Sequence, residues 1–194
     1  MAFASRLWGR ARARATATAA SQSKSAFARQ FTNYLIRYVS WLPPLIWFNT
    51  YVAQVTFING PSMYPFLNST YNESTKRDLC LVYKLYAQQN LERGMCVTFR
   101  SPTDPDKIVV KRIVGLEGDI VRTKPPYPNE YIRVPEGHIW VEGDGDKSRD
   151  SNYYGPISAR LVTGQITHIL LPFSKAGRVR WWEHQHRTGI QRAA

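Results

Sequence analysis

The longest apolar stretch of the chain runs from Val39 to Ile58 and contains no ionisable side chain. Its 20 residues are enough for one helix across a hydrocarbon core of about 30 Å. From this length and the absence of charge, we predict a single membrane-anchoring helix over residues 34–58. Pro43-Pro44 would kink this helix. An amphipathic helix lying in the plane of the membrane is the alternative.

After residue 58 the apolar residues occur in short runs. These runs are rich in β-branched and aromatic side chains, and Gly, Pro, Asp and Asn separate them, as is typical of strands joined by turns. Many short strands with few helices predict a mainly β domain with a coiled or closed antiparallel sheet, preceded by the single N-terminal transmembrane helix. The predicted strands are residues 79–84, 95–100, 107–115, 119–123, 130–134, 138–143 and 165–172.

The pattern divides the chain into four segments. They are a basic presequence-like tail (1–33), the membrane anchor (34–58), a β domain (59–174) and a basic C-terminal tail (175–194). We expect the C-terminal tail to be a solvated extension; contact with a membrane surface or a partner is the alternative.

Positive charge is concentrated at the N-terminus. The net charge is +12, and the residues before Glu73 include seven Lys or Arg and no acidic side chain. Residues 1–30 are rich in Arg, Ala, Ser and Thr, a composition typical of mitochondrial presequences; a disordered basic tail is the alternative, and whether the segment is removed stays open. Basic residues before the apolar stretch predict that the β domain is the translocated part. No nucleic-acid-binding motif accompanies the charge, so RNA or DNA binding is not expected.

A single lysine interrupts the most apolar of the predicted strands. Because side chains alternate along a strand, Val109, Lys111 and Ile113 share one face. An ammonium among apolar neighbours loses hydration, which lowers its pKa from about 10.4 toward neutrality. Lys111 is therefore a candidate general base. A lysine that extends from the strand to solvent is the ordinary alternative.

Ser62 lies in a turn bracketed by prolines, directly after the apolar stretch. Gly60 and Pro61 predict a sharp turn, and Pro65 prevents a helix, so the hydroxyl is held on an exposed corner. A serine nucleophile needs a group that accepts its proton. None of the four histidines has a convincing Ser/His/Asp setting, and Lys111 is the better candidate.

A polar, glycine-rich loop covers residues 141–156. Three aspartates alternate there, but the Gly and Glu positions of a calcium-binding EF-hand loop are missing. We expect this loop to shape the site from behind and to supply a hydroxyl that orients the lysine amine. Cys80 and Cys96 belong to no CxxC pair and no histidine cluster, so no metal site is predicted. Both are expected to be buried apolar groups, and a disulfide between them stays open.

Three ordered motifs together resemble those of the type I signal peptidases, and of their mitochondrial branch. The motifs are PSMYPFL, KRIVGLEGD and GHIWVEGD followed by KSRDSNYYGP, and the resemblance covers roughly residues 55–172. It implies that Ser62 is the nucleophile and Lys111 the general base. It also implies that Ser148 hydrogen-bonds the lysine, that Asp150 is structural and that Met63 packs.

The chain also departs from the bacterial members. They carry an arginine two residues after the loop aspartate, where this chain has Asn152, and a hydroxyl residue where it has Gly60. Since Pro61 has no N–H, the Ser62 amide is left to bind the oxyanion with a water or another amide.

The resemblance implies a membrane-bound serine endopeptidase with a Ser/Lys dyad and no cofactor. It would remove sorting peptides from precursors delivered to the mitochondrial intermembrane space, held in the inner membrane with its catalytic domain facing that space. A precursor segment would add as a strand along Ile58, Asn59 and Gly60. The expected partner is a homologous peptidase subunit. A non-catalytic scaffold subunit stays open, as does a secretory-pathway signal peptidase, for which Asn68 and Asn72 supply glycosylation sequons.

Overall fold

The computed structural model describes residues 29–69, 77–145, 148–184 and 190–191. The chain separates into two compact units, residues 1–47 and 48–194. The greater part of the predicted presequence-like tail, residues 1–28, lies outside the described residues.

Two helices occupy the first part of the described chain: α1, residues 29–39, and α2, Leu42–Tyr51. Pro43 and Pro44 lie in the first turn of α2, where a missing N–H leaves no hydrogen bond unmade. The proline pair therefore starts a new helix instead of kinking a continuous one. The continuous helix predicted over residues 34–58 is not found, because the chain turns at residues 40–41 and enters a strand at Ala53. None of the described helices has the length and apolar character that crossing a bilayer requires.

Antiparallel strands build the second unit. They are β1 (Ala53–Phe57), β2 (Leu79–Tyr83), β3 (Cys96–Arg100), β4 (Ile108–Gly115), β5 (Ile120–Arg122), β6 (Tyr131–Arg133), β7 (His138–Glu142), β8 (Ile157–Ser158), β9 (Val162–Leu171), β10 (Gly177–Arg178) and β11 (Ile190–Gln191). A main sheet has the order β1-β2-β9-β3-β4-β7-β8, with β10 paired to β9, and a second sheet has the order β11-β5-β6. Short helices are α3 (Ser151–Tyr154) and the 3-10 turns Ala159–Leu161, Phe173–Lys175 and Trp181–His184.

The predicted mainly β, antiparallel class is confirmed. Each of the seven predicted strands is present with its ends displaced by at most three residues. The strand β1 was missed because its sequence, AQVTF, lies within the apolar stretch assigned to the anchor. The expected solvated C-terminal extension is wrong for its first part, since Gly177 and Arg178 pair with β9 and Val179, 3% exposed, packs into the core.

The core holds both cysteines. Cys80 and Cys96 are free thiols in one buried apolar cluster with Met63 and Ile169. Burial raises the pKa of each thiol to about 12, which keeps the sulfur protonated and unreactive at neutral pH. The cysteines therefore act as small apolar core residues, and Met63 packs beside them.

Candidate active site

Lys111 lies on β4 opposite Val97 of β3, and its side chain is 3% exposed. Loss of hydration lowers the pKa of this amine to about 8, although Asp150 and Asp144 act in the opposite direction. Lys111 Nζ donates a hydrogen bond to Ser148 Oγ at 2.9 Å. A buried, hydroxyl-bound amine with this pKa has a substantial neutral fraction near physiological pH, as a general base requires.

Ser62 is half-buried in the turn that follows β1 and packs against the Gly143–Gly145 backbone. The Gly145 N–H donates to the Ser62 carbonyl at 3.1 Å. A Cβ added to Gly143 would collide with both the Ser62 carbonyl and the Ser148 side chain, so only glycine allows this approach. The described contacts thus join Ser62 to Lys111 through Gly143 and Ser148, and they include no direct hydrogen bond between the two side chains.

The turn that carries Ser62 is held by a buried pair, Asn68 and Asp78. Asn68 Nδ2 donates to the carbonyls of Ile58 at 2.9 Å and Gly60 at 3.1 Å. Asn68 Oδ1 accepts from the Asp78 N–H, and the Asp78 carboxylate accepts from the Asn68 N–H, each at 2.8 Å. Sequence reasoning treated Asn68 only as part of a sequon and missed this role. The signal available in the sequence was an asparagine in a proline-rich turn, since asparagine side chains often bind backbone groups of turns.

Asp150 organises the other side of the site. Its carboxylate accepts from the Gly143 N–H at 2.9 Å and from both the backbone and the side-chain nitrogen of Asn152 at 3.1 Å. It also caps the N-terminus of α3. Asn152, two residues after Asp150, therefore partners this carboxylate through amide hydrogen bonds and not through an ion pair.

Arg112, the residue after Lys111, is a second buried cation that sequence reasoning missed. Its side chain is 3% exposed, donates to the Asp144 carboxylate with a shortest distance of 2.7 Å, and donates to the Gly94 carbonyl at 2.8 Å. Its guanidinium also lies 4.5 Å from the centre of the Phe66 ring. An arginine inside an apolar strand needs an acidic partner, and the aspartate of the 141–156 loop was the signal that could have found it. The pair holds that loop against the Ser62 turn.

A groove of about 900 Å³ opens beside Ser62 and is lined by residues of β1 and of the first half of β4. Those two strands are separated by three others in the sheet order, so the sheet must curl for both to line one groove. Of the predicted substrate-binding residues, Ile58 and Asn59 line it and Gly60 is not among its lining residues. The Ile58 N–H already donates to the Asp78 carbonyl at 2.9 Å.

Sequence comparison identifies the class to which this fold and site belong. The family described as "Signal peptidase, peptidase S26" matches residues 31–126. Mitochondrial inner membrane protease subunit 2 of Schizosaccharomyces pombe is 41% identical over 79% of this chain and 84% of that protein. The chain belongs to the signal peptidase family S26, which confirms the resemblance noted from its motifs.

Two further relatives refine this similarity. Mitochondrial inner membrane protease subunit 2 of Saccharomyces cerevisiae is 38% identical over 79% of this chain and 88% of that protein. Subunit 1 of the same protease from Mus musculus is 37% identical over 67% of this chain and 76% of that protein. The chain is thus similar to both subunits of a mitochondrial protease.

Proposed function

We propose that the chain is a serine endopeptidase that removes sorting peptides from precursors delivered to the mitochondrial intermembrane space. Ser62 is the nucleophile, Lys111 the general base, Ser148 the residue that positions the amine, and Asp150 the support of the loop. The observation that carries this assignment is the buried Lys111 amine, with its pKa lowered to about 8 and its hydrogen bond to Ser148, beside the Ser62 turn.

The proposed mechanism begins with neutral Lys111 removing the proton of Ser62, whose oxygen attacks the scissile carbonyl. The Ser62 N–H has no hydrogen-bond acceptor among the described residues, so it is available to stabilise the oxyanion. Protonated Lys111 then gives its proton to the leaving amine. A water molecule, deprotonated by the same amine, hydrolyses the acyl-enzyme and regenerates Ser62.

Free strand edges on both sides of the groove support binding of an extended precursor segment. Among the described strands, β1 is the first in the sheet and has β2 as its one partner. In β4, residues 108–111 pair with β3 alone, because pairing with β7 begins at Arg112. Backbone groups on these edges can pair with an added strand. The segment is therefore proposed to run along Ile58 and Asn59 toward Ser62, with Gly60 completing the turn.

The proposed setting is the mitochondrial inner membrane, with the catalytic domain facing the intermembrane space and a homologous peptidase subunit as partner. The named relatives support the compartment and the complex. A secretory route is disfavoured by Asn68, which is 1% exposed and uses its amide nitrogen in two hydrogen bonds, so a glycan there would break the Ser62 turn. A pure scaffold is disfavoured by Lys111, since a buried amine whose hydrogen-bond partner is a hydroxyl and not a carboxylate costs stability without serving the fold.

Reconstituted chain, alone and with its homologous subunit, should be incubated with intermembrane-space precursors, and the new N-termini sequenced. Ser62→Ala and Lys111→Ala should abolish cleavage. The matched controls Ser174→Ala and Lys107→Ala change exposed residues and should cleave like the unchanged protein. Equal cleavage by the Ser62→Ala variant and the unchanged protein would refute the assignment.

A further inference from the structure

The groove beside Ser62 is strongly asymmetric in charge. Three of its lining residues are cationic, namely Lys84, Arg100 and Arg160, and none of its described lining residues is acidic. Lys84 Nζ is engaged by the carbonyls of Asn49 at 3.2 Å and Thr50 at 3.4 Å. Both arginines are exposed, and in the described part of the chain neither guanidinium has a hydrogen-bond or ion-pair partner.

Strand register places these two arginines at the same end of the groove. Arg100 pairs with Ile108, whereas Lys111 pairs with Val97, three residues back along β3. With a rise of about 3.3 Å per strand residue, Arg100 lies roughly 10 Å along the sheet from the level of Lys111. Arg160 precedes β9, in which Val162 pairs with Phe99, the residue before Arg100.

Two cations that line one end of a groove and lack an acidic partner create a positive potential there, which attracts a carboxylate. An extended segment with its scissile carbonyl at Ser62 carries side chains at intervals of about 3.3 Å. When the scissile carbonyl lies at the level of Lys111, the proposed general base, the side chain three or four positions away in the direction of Ile108 lies at the level of Arg100 and Arg160.

We propose that Arg100 and Arg160 are specificity-determining residues that select precursors with an acidic side chain three or four positions from the cleaved bond. This inference rests on the proposed endopeptidase function and adds a substrate preference to it. Because both guanidinium groups are exposed, the preference is expected to be about tenfold at low salt and smaller at high salt.

The test uses full-length protein in neutral detergent and a parent peptide that contains a precursor cleavage site. Asp, Ala or Lys is placed in turn at positions two to six on each side of the scissile bond, and kcat/KM is measured relative to the Ala peptide of the same variant. The unchanged protein should prefer Asp over Lys by about tenfold at position three or four. The Arg100→Glu/Arg160→Glu double variant should reverse that preference. Arg133→Glu, which changes an exposed arginine of β6 outside the groove, should leave it unchanged.

A preference that is absent at those positions, or that persists in the double variant, overturns the proposal. Peptide binding to Ser62→Ala, measured by fluorescence anisotropy, separates this failure from failure of the proposed function. If the peptides bind with the acidic preference but are never cut, the endopeptidase assignment fails while the acidic selection stands. A double variant that loses only its binding to phosphatidylserine vesicles, with peptide selection intact, would assign the arginines to a lipid headgroup and overturn the proposal.

Discussion

Lys111 and Arg112 are consecutive residues of β4, and each side chain is 3% exposed, but the structure compensates only one of the two charges. Arg112 forms an ion pair with Asp144 at 2.7 Å. Burial works against its charge, but the hydrogen bond and the negative charge of Asp144 help to hold the pKa of Arg112 above its usual value. The hydrogen-bond partner of Lys111 is a hydroxyl, whereas that of Arg112 is a carboxylate. Burial therefore lowers the pKa of Lys111. The strand β4 thus carries one side chain that stays charged, Arg112, and one that can lose its proton near neutral pH, Lys111.

Replacing Lys111 with methionine should abolish cleavage and stabilise the protein. The folded-state pKa of about 8 lies below the ordinary value of 10.5, so the unfolded chain binds more protons between those pH values and stability rises with pH across that window. The methionine variant removes the free-energy cost of burying a protonated amine, which predicts a gain of about 1–3 kcal/mol in unfolding free energy at pH 7.

Chemical denaturation at pH 7 and pH 10 measures this effect. The gain of the Lys111→Met variant should shrink at the higher pH, where the lysine of the unchanged protein is neutral in the folded state. A loss of stability at pH 7 would show that the amine is structural.

Asp144→Asn should strongly destabilise the protein, because it leaves the buried Arg112 guanidinium without its counter-charge. Breaking a buried pair of this kind costs about 3–5 kcal/mol. Asp104→Asn is the matched control, since Asp104 pairs with Lys107 on the exposed surface at the same 2.7 Å distance. Thermal unfolding should show a large fall in midpoint for the first variant and little change for the second. Equal effects would mean that the Arg112 pair contributes no more than a surface contact.

Ser148→Ala should lower kcat by about 100-fold with little change in KM, because the hydroxyl orients the attacking amine and does not bind the peptide. Ser148 Oγ accepts a hydrogen bond from Lys111, and loss of that bond removes a stabilising contact of the ammonium. The midpoint of the pH–rate profile should therefore move to lower pH. Ser148→Thr, which keeps a hydroxyl, should restore most of kcat. A raised KM with unchanged kcat would place Ser148 in substrate binding instead.

Asn68→Ala should unfold the Ser62 turn, because it removes three side-chain hydrogen bonds to backbone groups of Ile58, Gly60 and Asp78. The expected loss of stability is about 2–4 kcal/mol. Asn90→Ala controls for backbone strain, since Asn90 also has a positive φ, 52° against 56° for Asn68, but is exposed. Denaturant titration should separate the two variants. Similar losses in both would assign the effect to the left-handed backbone and not to the hydrogen bonds.

The sequence predicts the strands of the β domain because its alternation and turn residues are local signals. Residues 108–115 are an example, since their pattern alone places Lys111 among apolar neighbours. The contacts that join the site are not local. Arg112 contacts Asp144 across 32 residues, and Asn68 contacts Asp78 across 10 residues, so neither pair follows from periodicity. The strand β1 was hidden for another reason, since an apolar stretch long enough for a helix contained a strand of five residues.

The central claim, that a neutral Lys111 activates Ser62, is tested most directly by the pH dependence of kcat/KM for a cleaved precursor peptide. Because only the unprotonated amine accepts the Ser62 proton, activity should rise with pH through a single ionisation at about 8. A rate that is independent of pH between about 6 and 10, or that rises only near the ordinary lysine pKa of about 10.4, would contradict the account.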